Sequence, residues 1–376
     1  MNIAVNTRLL LKDRLEGIGT VIFETMKRIA NNHPEHHFFF IFDRDYSDEF
    51  LFSDNITPLI IGPQARHPFL FYLWFEHSIP GILKDIKADV FISPDGYMSL
   101  SAKVKSLSII HDLNFEQYPE HFPWLIKKYY RYYFPRFAKR ADRIATVSEF
   151  SKQDIISRYK VDPDKIDVIY NGVNTSFKPQ SPKAIEETRA KYSNSDPYFI
   201  FVGSIQPRKN IKNLLLAFDL FKNNYTHPFK LLIVGANKWW TPELQKTIEE
   251  MKFKNDVVFT GRVSEDELVK ITGAAFAITY VPFYEGFGIP ILEAFNCGIP
   301  VITSDVTSMP EVAAGSALLV NPHSSQSIAD GMLSIVKDEK LKQELIAKGN
   351  IRKNDFNWDK SAELLWESIE RLILNT

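Results

Sequence analysis

The stretch AFAITYVPFYEGFGIPILEA, residues 275–294, carries the strongest pattern in the sequence. It starts as an apolar strand, Ala275–Val281, and continues through a turn that contains Gly286 and Gly288. A helix then opens with Pro290 in its first turn, where the missing N–H costs nothing. Glycines let a ligand approach the backbone closely, and the N–H groups at the start of a helix attract a diphosphate or hydroxyl groups. The stretch therefore predicts half of a βαβ unit with a ligand site at its turn.

The same alternation of short apolar strands and helical patterns runs along almost the whole chain. The predicted strands are Asn2–Asn6, Phe38–Phe42, Asp89–Ser93, Ser106–Ile110, Arg143–Val147, Ile166–Tyr170, Tyr198–Val202, Lys230–Val234, Asp256–Thr260, Ala275–Val281, Pro300–Thr303 and Ala317–Val320. Helical patterns lie between most of them, and a last amphipathic helix is predicted at Trp358–Leu374. Strands that are apolar throughout and separated by helices indicate parallel sheets with both faces covered. We therefore predict an α/β fold with two doubly wound, Rossmann-like domains.

The polar stretch 174–196, which contains Pro179 and Pro182, separates the two sets of strands. We predict an N-terminal domain at residues 1–173, a linker at 174–196 and a C-terminal domain at 197–357, with the helix 358–374 packing back on the first domain. Ligands of such sheets bind at the carboxyl ends of the strands, so we expect the site in the cleft between the domains.

Composition excludes several classes of protein. The 376 residues are 45% hydrophobic and 24% charged with a formal net charge of −1, which is typical of a globular protein and not of a nucleic-acid-binding one. Cys297 is the only cysteine, so we expect a reducing compartment. The N-terminus enters a strand directly, and no apolar run approaches the ~20 residues of a membrane span. We expect a cytoplasmic protein.

Two carboxylates and two cations follow predicted strands of the second half, Glu293 from within a helix. Glu285 and Glu293 are separated by eight helical steps, which is a rise of about 12 Å. They would therefore bind two parts of one long ligand and would not act as an acid/base pair on one bond. Arg208 and Lys209 follow the strand Tyr198–Val202 and would face phosphates. The alternative for the two glutamates is an ordinary glycine-rich turn with glutamates at the surface. The alternative for the two cations is a solvated basic turn.

Weaker signals lie in the first half. His111 ends the strand Ser106–Ile110, where its side chain would enter a cleft, and the neighbouring Asp112 would help to orient it. Gly17 and Gly19 precede the first helix and would bring backbone N–H groups to a phosphate. The competing interpretations are that His111 is a structural residue and that Gly17 and Gly19 belong to an ordinary loop.

Metal and cofactor signatures are weak or missing. The triplet Asp43-Arg44-Asp45 has the form of an Asp-x-Asp metal site, but it lies in a turn of the first domain and such triplets arise readily by chance. No His/Cys cluster has zinc spacing, and neither a Gly-x-Gly-x-x-Gly fingerprint nor a Walker phosphate loop occurs. We predict no metal and no cofactor, and a nicotinamide enzyme or an ATPase is disfavoured.

The segment Lys127–Arg140 combines basic and aromatic residues on one predicted helix. This composition suits peripheral contact with an anionic membrane, here the inner face of the plasma membrane, and the aromatic run Phe69–Phe75 would extend the contact surface. A helix with one aromatic core face and one solvated basic face explains the composition equally well.

Taken in order, these motifs resemble those of the family 4 retaining glycosyltransferases, which have the GT-B fold. The resemblance covers essentially the whole chain, and the spacing from Glu285 to Glu293 matches the family's glutamate-x7-glutamate signature. It is carried by Gly17-Ile18-Gly19, His111-Asp112-Leu113, Ala145–Ser151, Tyr170–Asn174, Pro207–Asn210, Gly261-Arg262-Val263 and the Glu285–Glu293 motif. The most similar members in character are bacterial mannosyltransferases of O-antigen and capsule assembly.

The resemblance implies a nucleotide diphosphate sugar as donor, with GDP-mannose favoured, and a glycan or polyprenyl-linked glycan as acceptor. Glu285 would contact the transferred sugar and Glu293 the donor ribose. His111 would contact the donor sugar or the developing charge from the acceptor domain. Arg208 and Lys209 would neutralise the diphosphate in place of a metal. The further implied donor-binding residues are Gly17, Gly19, Gly203, Ser204, Arg262, Val263, Gly286, Phe287, Gly288 and Ile289.

One departure from the family pattern concerns phosphate binding. Many members have Arg directly after the glycine that is Gly203 here, but this chain has Ser204, so more of the phosphate charge falls to Arg208 and Lys209. Two other functions use the same fold and remain alternatives: a nucleotide-sugar 2-epimerase, which needs no acceptor, and a non-catalytic subunit that binds nucleotide sugar.

Overall fold

The computed structural model describes residues 1–12, 15, 17–237 and 239–374, which form two compact units. The first unit comprises Met1–Gly172 together with the chain from Asn357 onward, and the second comprises Val173–Phe356. Each unit is built on one sheet whose neighbouring strands are all parallel. The predicted α/β fold with two Rossmann-like sheets is thereby confirmed.

The first unit has a seven-stranded sheet in the order β3-β2-β1-β4-β5-β6-β7. Alternate residues of its strands face two separate cores: Ile3 and Val5 pack in one, and Ala4 packs in the other. This two-sided burial is why its strands are apolar along their whole length. The strands are β1 (Asn2–Asn6), β2 (His37–Phe42), β3 (Ile56–Ile60), β4 (Val90–Ser93), β5 (Lys105–Ile110), β6 (Arg143–Thr146) and β7 (Ile166–Val168).

Helices cover both faces of this sheet. A π-helical turn, Trp74–Ser78, joins α2 to α3, and the Ser148 side chain caps α6 by accepting from the Ser151 N–H at 3.0 Å. The helices are α1 (Gly17–Asn32), α2 (Pro68–Leu73), α3 (Ile79–Asp85), α4 (Asn114–Gln117), α5 (Trp124–Arg140) and α6 (Glu149–Tyr159).

The second unit has a six-stranded sheet in the order β10-β9-β8-β11-β12-β13. The order reverses between β8 and β11, and this is the position where such sheets bind ligands. The strands are β8 (Tyr198–Val202), β9 (Lys230–Val234), β10 (Val257–Gly261), β11 (Ala277–Tyr280), β12 (Val301–Ser304) and β13 (Leu318–Val320). The helices are α7 (Pro182–Ser193), α8 (Ile211–Asn224), α9 (Pro242–Glu250), α10 (Glu265–Ala274), α11 (Ile289–Cys297), α12 (Met309–Ala313), α13 (Ser325–Lys337) and α14 (Glu339–Arg352).

The C-terminal helix, α15 (Trp358–Leu374), belongs to the first unit. Its Ser368 hydroxyl donates to Asp167 at 2.6 Å, and Ser361 donates to the Tyr170 carbonyl at 2.6 Å. At its start the chain passes so close to Gly172 that a Cβ there would lie 2.4 Å from the Trp358 backbone nitrogen. Only glycine fits at that crossing.

Two elements differ from the sequence prediction. Strand β3 was not predicted, because Pro58 interrupts its pattern; the proline is tolerated since β3 is an edge strand. The stretch 174–196 is not an open linker over its whole length, because it contains α7. This helix is attached to α10 by polar contacts, among them Lys191 to Glu267 at 2.8 Å and Arg189 to the Ala274 carbonyl at 2.9 Å.

Candidate functional site

Three predicted site residues meet at the carboxyl edge of the second sheet. Arg208 and Lys209 follow β8, and Glu285 follows the adjacent strand β11. The guanidinium of Arg208 and the ammonium of Lys209 both contact the buried Glu285 carboxylate. Arg208 also donates to the Tyr284 carbonyl at 3.1 Å. The sequence therefore places two cations and one carboxylate in a single cluster.

The electrostatics of this cluster keep Glu285 ionised. Burial alone would raise the pKa of its carboxyl, but the charges of Arg208 and Lys209 outweigh burial and lower the pKa below its usual value. The Lys209 ammonium also contacts the hydroxyl of Tyr280 and lies 4.9 Å from the centre of its ring. An anionic ligand that enters here would compete with Glu285 for the same two cations.

A set of hydrogen bonds fixes the two loops that carry the cluster. Asn210, in a left-handed conformation with φ +63°, donates through its buried amide to the Val281 carbonyl at 2.9 Å and to the Pro322 carbonyl at 2.7 Å. The Phe283 N–H donates to the Arg208 carbonyl at 2.9 Å. The turn that carries Arg208 and Lys209 is thus attached directly to the loop that carries Glu285.

Gln206 links Ser204 to Arg208. Its amide donates to the Ser204 hydroxyl at 3.0 Å, and its carbonyl oxygen accepts from Arg208 at 3.2 Å. Ser204 is therefore connected to Arg208 through Gln206. Gly203, the last of the predicted residues in this loop, directly follows β8.

The glycine-rich turn leads into α11. Gly288 precedes this helix with φ +100°, a conformation that favours glycine, and a Cβ there would lie 2.8 Å from the Met309 methyl. Ser308 donates to the Glu285 carbonyl at 2.9 Å, which fixes the backbone of the turn from outside it. Gly286 and Phe287 lie within the turn, and Ile289 begins the helix, whose positive end suits an anion.

Glu293 lies on α11 in a different environment from Glu285. Burial, together with the charge of Glu265, raises the pKa of its carboxyl to about 8. The carboxyl is therefore largely protonated at neutral pH, although the side chain retains partial access to solvent. Arg262 and Val263 follow β10, with Arg262 exposed and Val263 half-buried.

The remaining predicted site residues belong to the first unit. His111 follows β5, and its Nε2 lies 2.9 Å from the Pro94 carbonyl. Burial lowers its pKa, partly opposed by that hydrogen bond and by the charges of Asp112 and Asp95. Asp112 does not orient His111 as predicted: its carboxylate accepts from the backbone and side-chain nitrogens of Asn114 at 3.0 and 2.7 Å. Gly17 and Gly19 lie in the first turn of α1.

Asp43 has a structural function in the first unit. Its buried carboxylate accepts from Arg44 at 2.5 and 2.7 Å and from the Ala65 N–H at 2.9 Å. These partners occupy both carboxylate oxygens, so the interpretation of Asp43-Arg44-Asp45 as a chance triplet fits the contacts.

The two halves of the chain match two glycosyltransferase family models. Residues 15–177 match "Glycosyltransferase Family 4", and residues 184–352 match "Glycosyl transferases group 1". The chain belongs to the family 4 glycosyltransferases. Its two parallel-sheet units are those of the GT-B fold, so the predicted family and fold are both confirmed.

Relatives of known name extend over most of the chain. O-antigen chain mannosyltransferase B of Escherichia coli is 26% identical over 360 residues, which are 93% of this chain and 94% of that protein. O-antigen chain mannosyltransferase RfbU of Salmonella typhimurium is 34% identical over 218 residues, 58% of this chain and 57% of RfbU. Anabaena HepE, solved in complex with UDP and glucose, is 17% identical with a TM-score of 0.77, covering 99% of this chain and all of HepE.

Several residues that shape the site of this glycosyltransferase were not predicted individually. Tyr280 lies beneath Lys209, Asn210 fixes the basic turn, and Gln206 orients Arg208. Asn210 lies within the motif Pro207–Asn210 that carries the family resemblance, and Gln206 directly precedes that motif. Ser308 had none, because it joins the site from a later loop through a single hydroxyl.

Two further observations concern ions and membranes. Within the described ranges, one group of three side chains, His33, Glu35 and His36, brings potential metal-ligand atoms within 4.8 Å of one another, and it lies in the first unit. Among the described residues, no helix combines the length and hydrophobicity needed to cross a membrane.

Proposed function

We propose that this glycosyltransferase moves a mannosyl residue from GDP-mannose to a glycan or polyprenyl-linked glycan of a cell-surface polysaccharide. The mannosyl donor and the polysaccharide are supported by relatives named as O-antigen chain mannosyltransferases. The contact of Arg208 and Lys209 with Glu285 carries the proposal, because two adjacent cations at a strand end suit the negative charge of a leaving diphosphate.

The cluster suggests how the reaction proceeds. The donor diphosphate would share the charges of Arg208 and Lys209 with Glu285, and the start of α11 would add its positive end. These groups would stabilise the negative charge that develops on the leaving diphosphate, which is the task of a divalent metal in other enzymes. We therefore propose a metal-independent reaction.

Glu285, still close to the two cations, would accept hydrogen bonds from hydroxyl groups of the transferred sugar. A carboxylate kept ionised at neutral pH is suited to this function. Glu293 would accept hydrogen bonds from the donor ribose, and His111 would contact the donor sugar. We propose that the new bond retains the anomeric configuration of the donor, in keeping with the family resemblance.

The first test is thermal stabilisation of the full chain by GDP, UDP, ADP and their sugar conjugates, each with and without EDTA. We expect a shift with GDP and GDP-mannose that EDTA does not reduce. Arg208→Ala should remove the shift and lower mannosyl transfer by about 10²–10³-fold. Lys212→Ala is the matched control, since Lys212 forms only an exposed ion pair with Glu243, and it should change neither measurement.

Each alternative outcome has a distinct meaning. A shift with UDP in place of GDP would overturn the donor, and a shift that requires added metal would overturn the metal-independent reaction. Metal bound at His33, Glu35 and His36 would stabilise the protein without any donor. The measurements with added metal are therefore repeated with His36→Gln. Conversion of the donor sugar without an acceptor would indicate an epimerase instead.

A further inference from the structure

Helix α5 presents two different faces in the first unit. Tyr129, Phe134 and Phe137 are buried in the core and pack with other aromatic rings. The core therefore accounts for only part of the aromatic content of this helix. Arg140, at its C-terminal end, is also directed inward and donates to the Ala102 carbonyl at 2.5 Å and the Val104 carbonyl at 3.2 Å.

The outward face of the same region is apolar and aromatic. Trp124 is 65% exposed and Tyr132 54%, and Phe69 of the neighbouring helix α2 is 63% exposed. Tyr72 and Leu125 are exposed beside them, and a groove of about 860 Å³ runs between the two helices. Large exposed apolar side chains that cluster in this way mark an interaction surface.

Cations surround these rings. Helix α5 contains no acidic residue, and its side chains Lys128, Arg131, Arg136 and Lys139 are exposed. The Lys128 ammonium lies 4.1 Å from the centre of the Trp124 ring, and the Arg136 guanidinium lies 3.6 Å from that of Tyr132. Arg131 has an acidic neighbour, Glu116, at 3.9 Å.

We propose that this surface, formed by α2 and α5, binds an anionic phospholipid bilayer. Tryptophan, tyrosine and phenylalanine rings partition into the boundary between headgroups and acyl chains, while lysine and arginine bind the lipid phosphates above it. The arrangement of exposed rings with cations around them, and no carboxylate on the helix, matches that chemistry. An acidic protein surface would satisfy the cations but not the exposed apolar rings.

Membrane binding is measured on the full chain by flotation with vesicles of phosphatidylcholine, with and without about 30 mol% anionic phosphatidylglycerol. We expect flotation only with the anionic vesicles, and release as the salt concentration rises. Lys128→Glu/Arg131→Glu should lower the partition constant by about tenfold or more, because each basic residue contributes to the attraction. Lys183→Glu/Lys246→Glu, with exposed lysines of the second unit, is the charge-matched control and should bind normally.

Insertion of the rings is measured separately, by quenching of tryptophan fluorescence with brominated lipids. Quenching should disappear in Trp124→Phe and persist in Trp239→Phe/Trp240→Phe, since Trp239 and Trp240 are exposed tryptophans of the second unit. Because neither experiment uses a donor, failure of the proposed donor would leave these results unaffected.

Three results would overturn the proposal. They are flotation that is independent of lipid charge, quenching that survives Trp124→Phe, and binding of a polyprenyl phosphate in detergent micelles without any binding to anionic vesicles. The last result would assign the groove to a lipid-linked ligand and not to the bilayer.

Discussion

Glu285 and Glu293 lie eight residues apart, yet their surroundings shift their pKa values in opposite directions. Both carboxyls are taken out of water, which alone raises the pKa. Arg208 and Lys209 reverse that effect at Glu285, whereas Glu293 has the like charge of Glu265 near it and its pKa rises to about 8. At neutral pH the Glu285 carboxylate can only accept hydrogen bonds, whereas a protonated Glu293 carboxyl can both donate and accept them.

The raised pKa of Glu293 predicts a stability change in Glu293→Gln. The folded protein keeps this proton up to about pH 8, while the unfolded chain loses it near the ordinary value of 4.5. Ionisation in the unfolded state therefore lowers the free energy of unfolding of the wild type as pH rises from 4.5 to 8, and glutamine lacks this effect. At about 1.4 kcal/mol per pKa unit, the upper bound is about 5 kcal/mol, which partial exposure of the side chain reduces.

The measurement is thermal unfolding of both proteins between pH 5 and pH 9. We expect the melting temperature of Glu293→Gln to exceed that of the wild type increasingly from pH 5 to 8, with the difference constant above that. If the melting temperatures of the two proteins change in parallel across this pH range, the raised pKa of Glu293 is wrong.

At the scale of elements, the first unit depends on a close crossing between the end of its sheet and the start of α15. An added Cβ at Gly172 would lie 2.4 Å from the Trp358 nitrogen and 2.7 Å from its ring, so the backbone would have to move. Gly172→Ala should therefore lower the melting temperature by about 4 °C or more, which corresponds to one to two kcal/mol.

Gly81→Ala is the matched control for this prediction. Gly81 lies in α3 with nothing within 4 Å of an added Cβ, and replacing glycine by alanine in a helix stabilises it by about 0.5–1 kcal/mol. Differential scanning calorimetry should show shifts of opposite sign. Equal shifts in the two variants would mean that the crossing does not constrain residue 172.

The elements show what sequence patterns can predict. All twelve predicted strands agree with the structure to within two residues at each end, because strands buried on both faces are apolar throughout. Edge strand β3 escaped detection because of Pro58, and α7 because polar contacts, not an apolar stripe, hold it to α10. Both lack the periodicity on which prediction from sequence depends.

The same limit applies to the site. Parallel strands end at one edge of a sheet, so the approach of Arg208 and Lys209 to Glu285 follows from the order of elements. The function of Gln206 in orienting Arg208 and of Tyr280 beneath Lys209 depends on loop geometry, which no spacing rule encodes. The pairing of the Asp112 carboxylate with Asn114 has the same origin.

At the scale of the whole molecule, the chain leaves the first unit after Gly172 and returns to it at Asn357. Helix α15 then contributes Leu365, Ile369 and Leu372 to a core shared with α1 and the first sheet. The groups that we propose for the donor diphosphate, Arg208, Lys209 and the start of α11, lie in the second unit. Stability of the first unit and nucleotide binding should therefore respond to different substitutions.

Ile369→Ala tests this separation by hydrogen exchange. Ile369 is fully buried, and its truncation should destabilise the first unit by about 3 kcal/mol. We expect faster amide exchange in α1, β5 and β6, with little change in β8–β13 and an unchanged affinity for GDP. Ile335→Ala, which truncates an equally buried isoleucine of α13 in the second unit, is the reciprocal control and should speed exchange in β8–β13 instead.

The pattern of exchange decides how far the two units are coupled. If each variant speeds exchange only in its own unit, the second sheet keeps its nucleotide-binding geometry independently of the core that α15 completes. If Ile369→Ala accelerates exchange in both units and weakens GDP binding in proportion, the chain unfolds as one cooperative unit. The nucleotide site would then depend on the C-terminal helix through global stability, and the separation that we predict would be wrong.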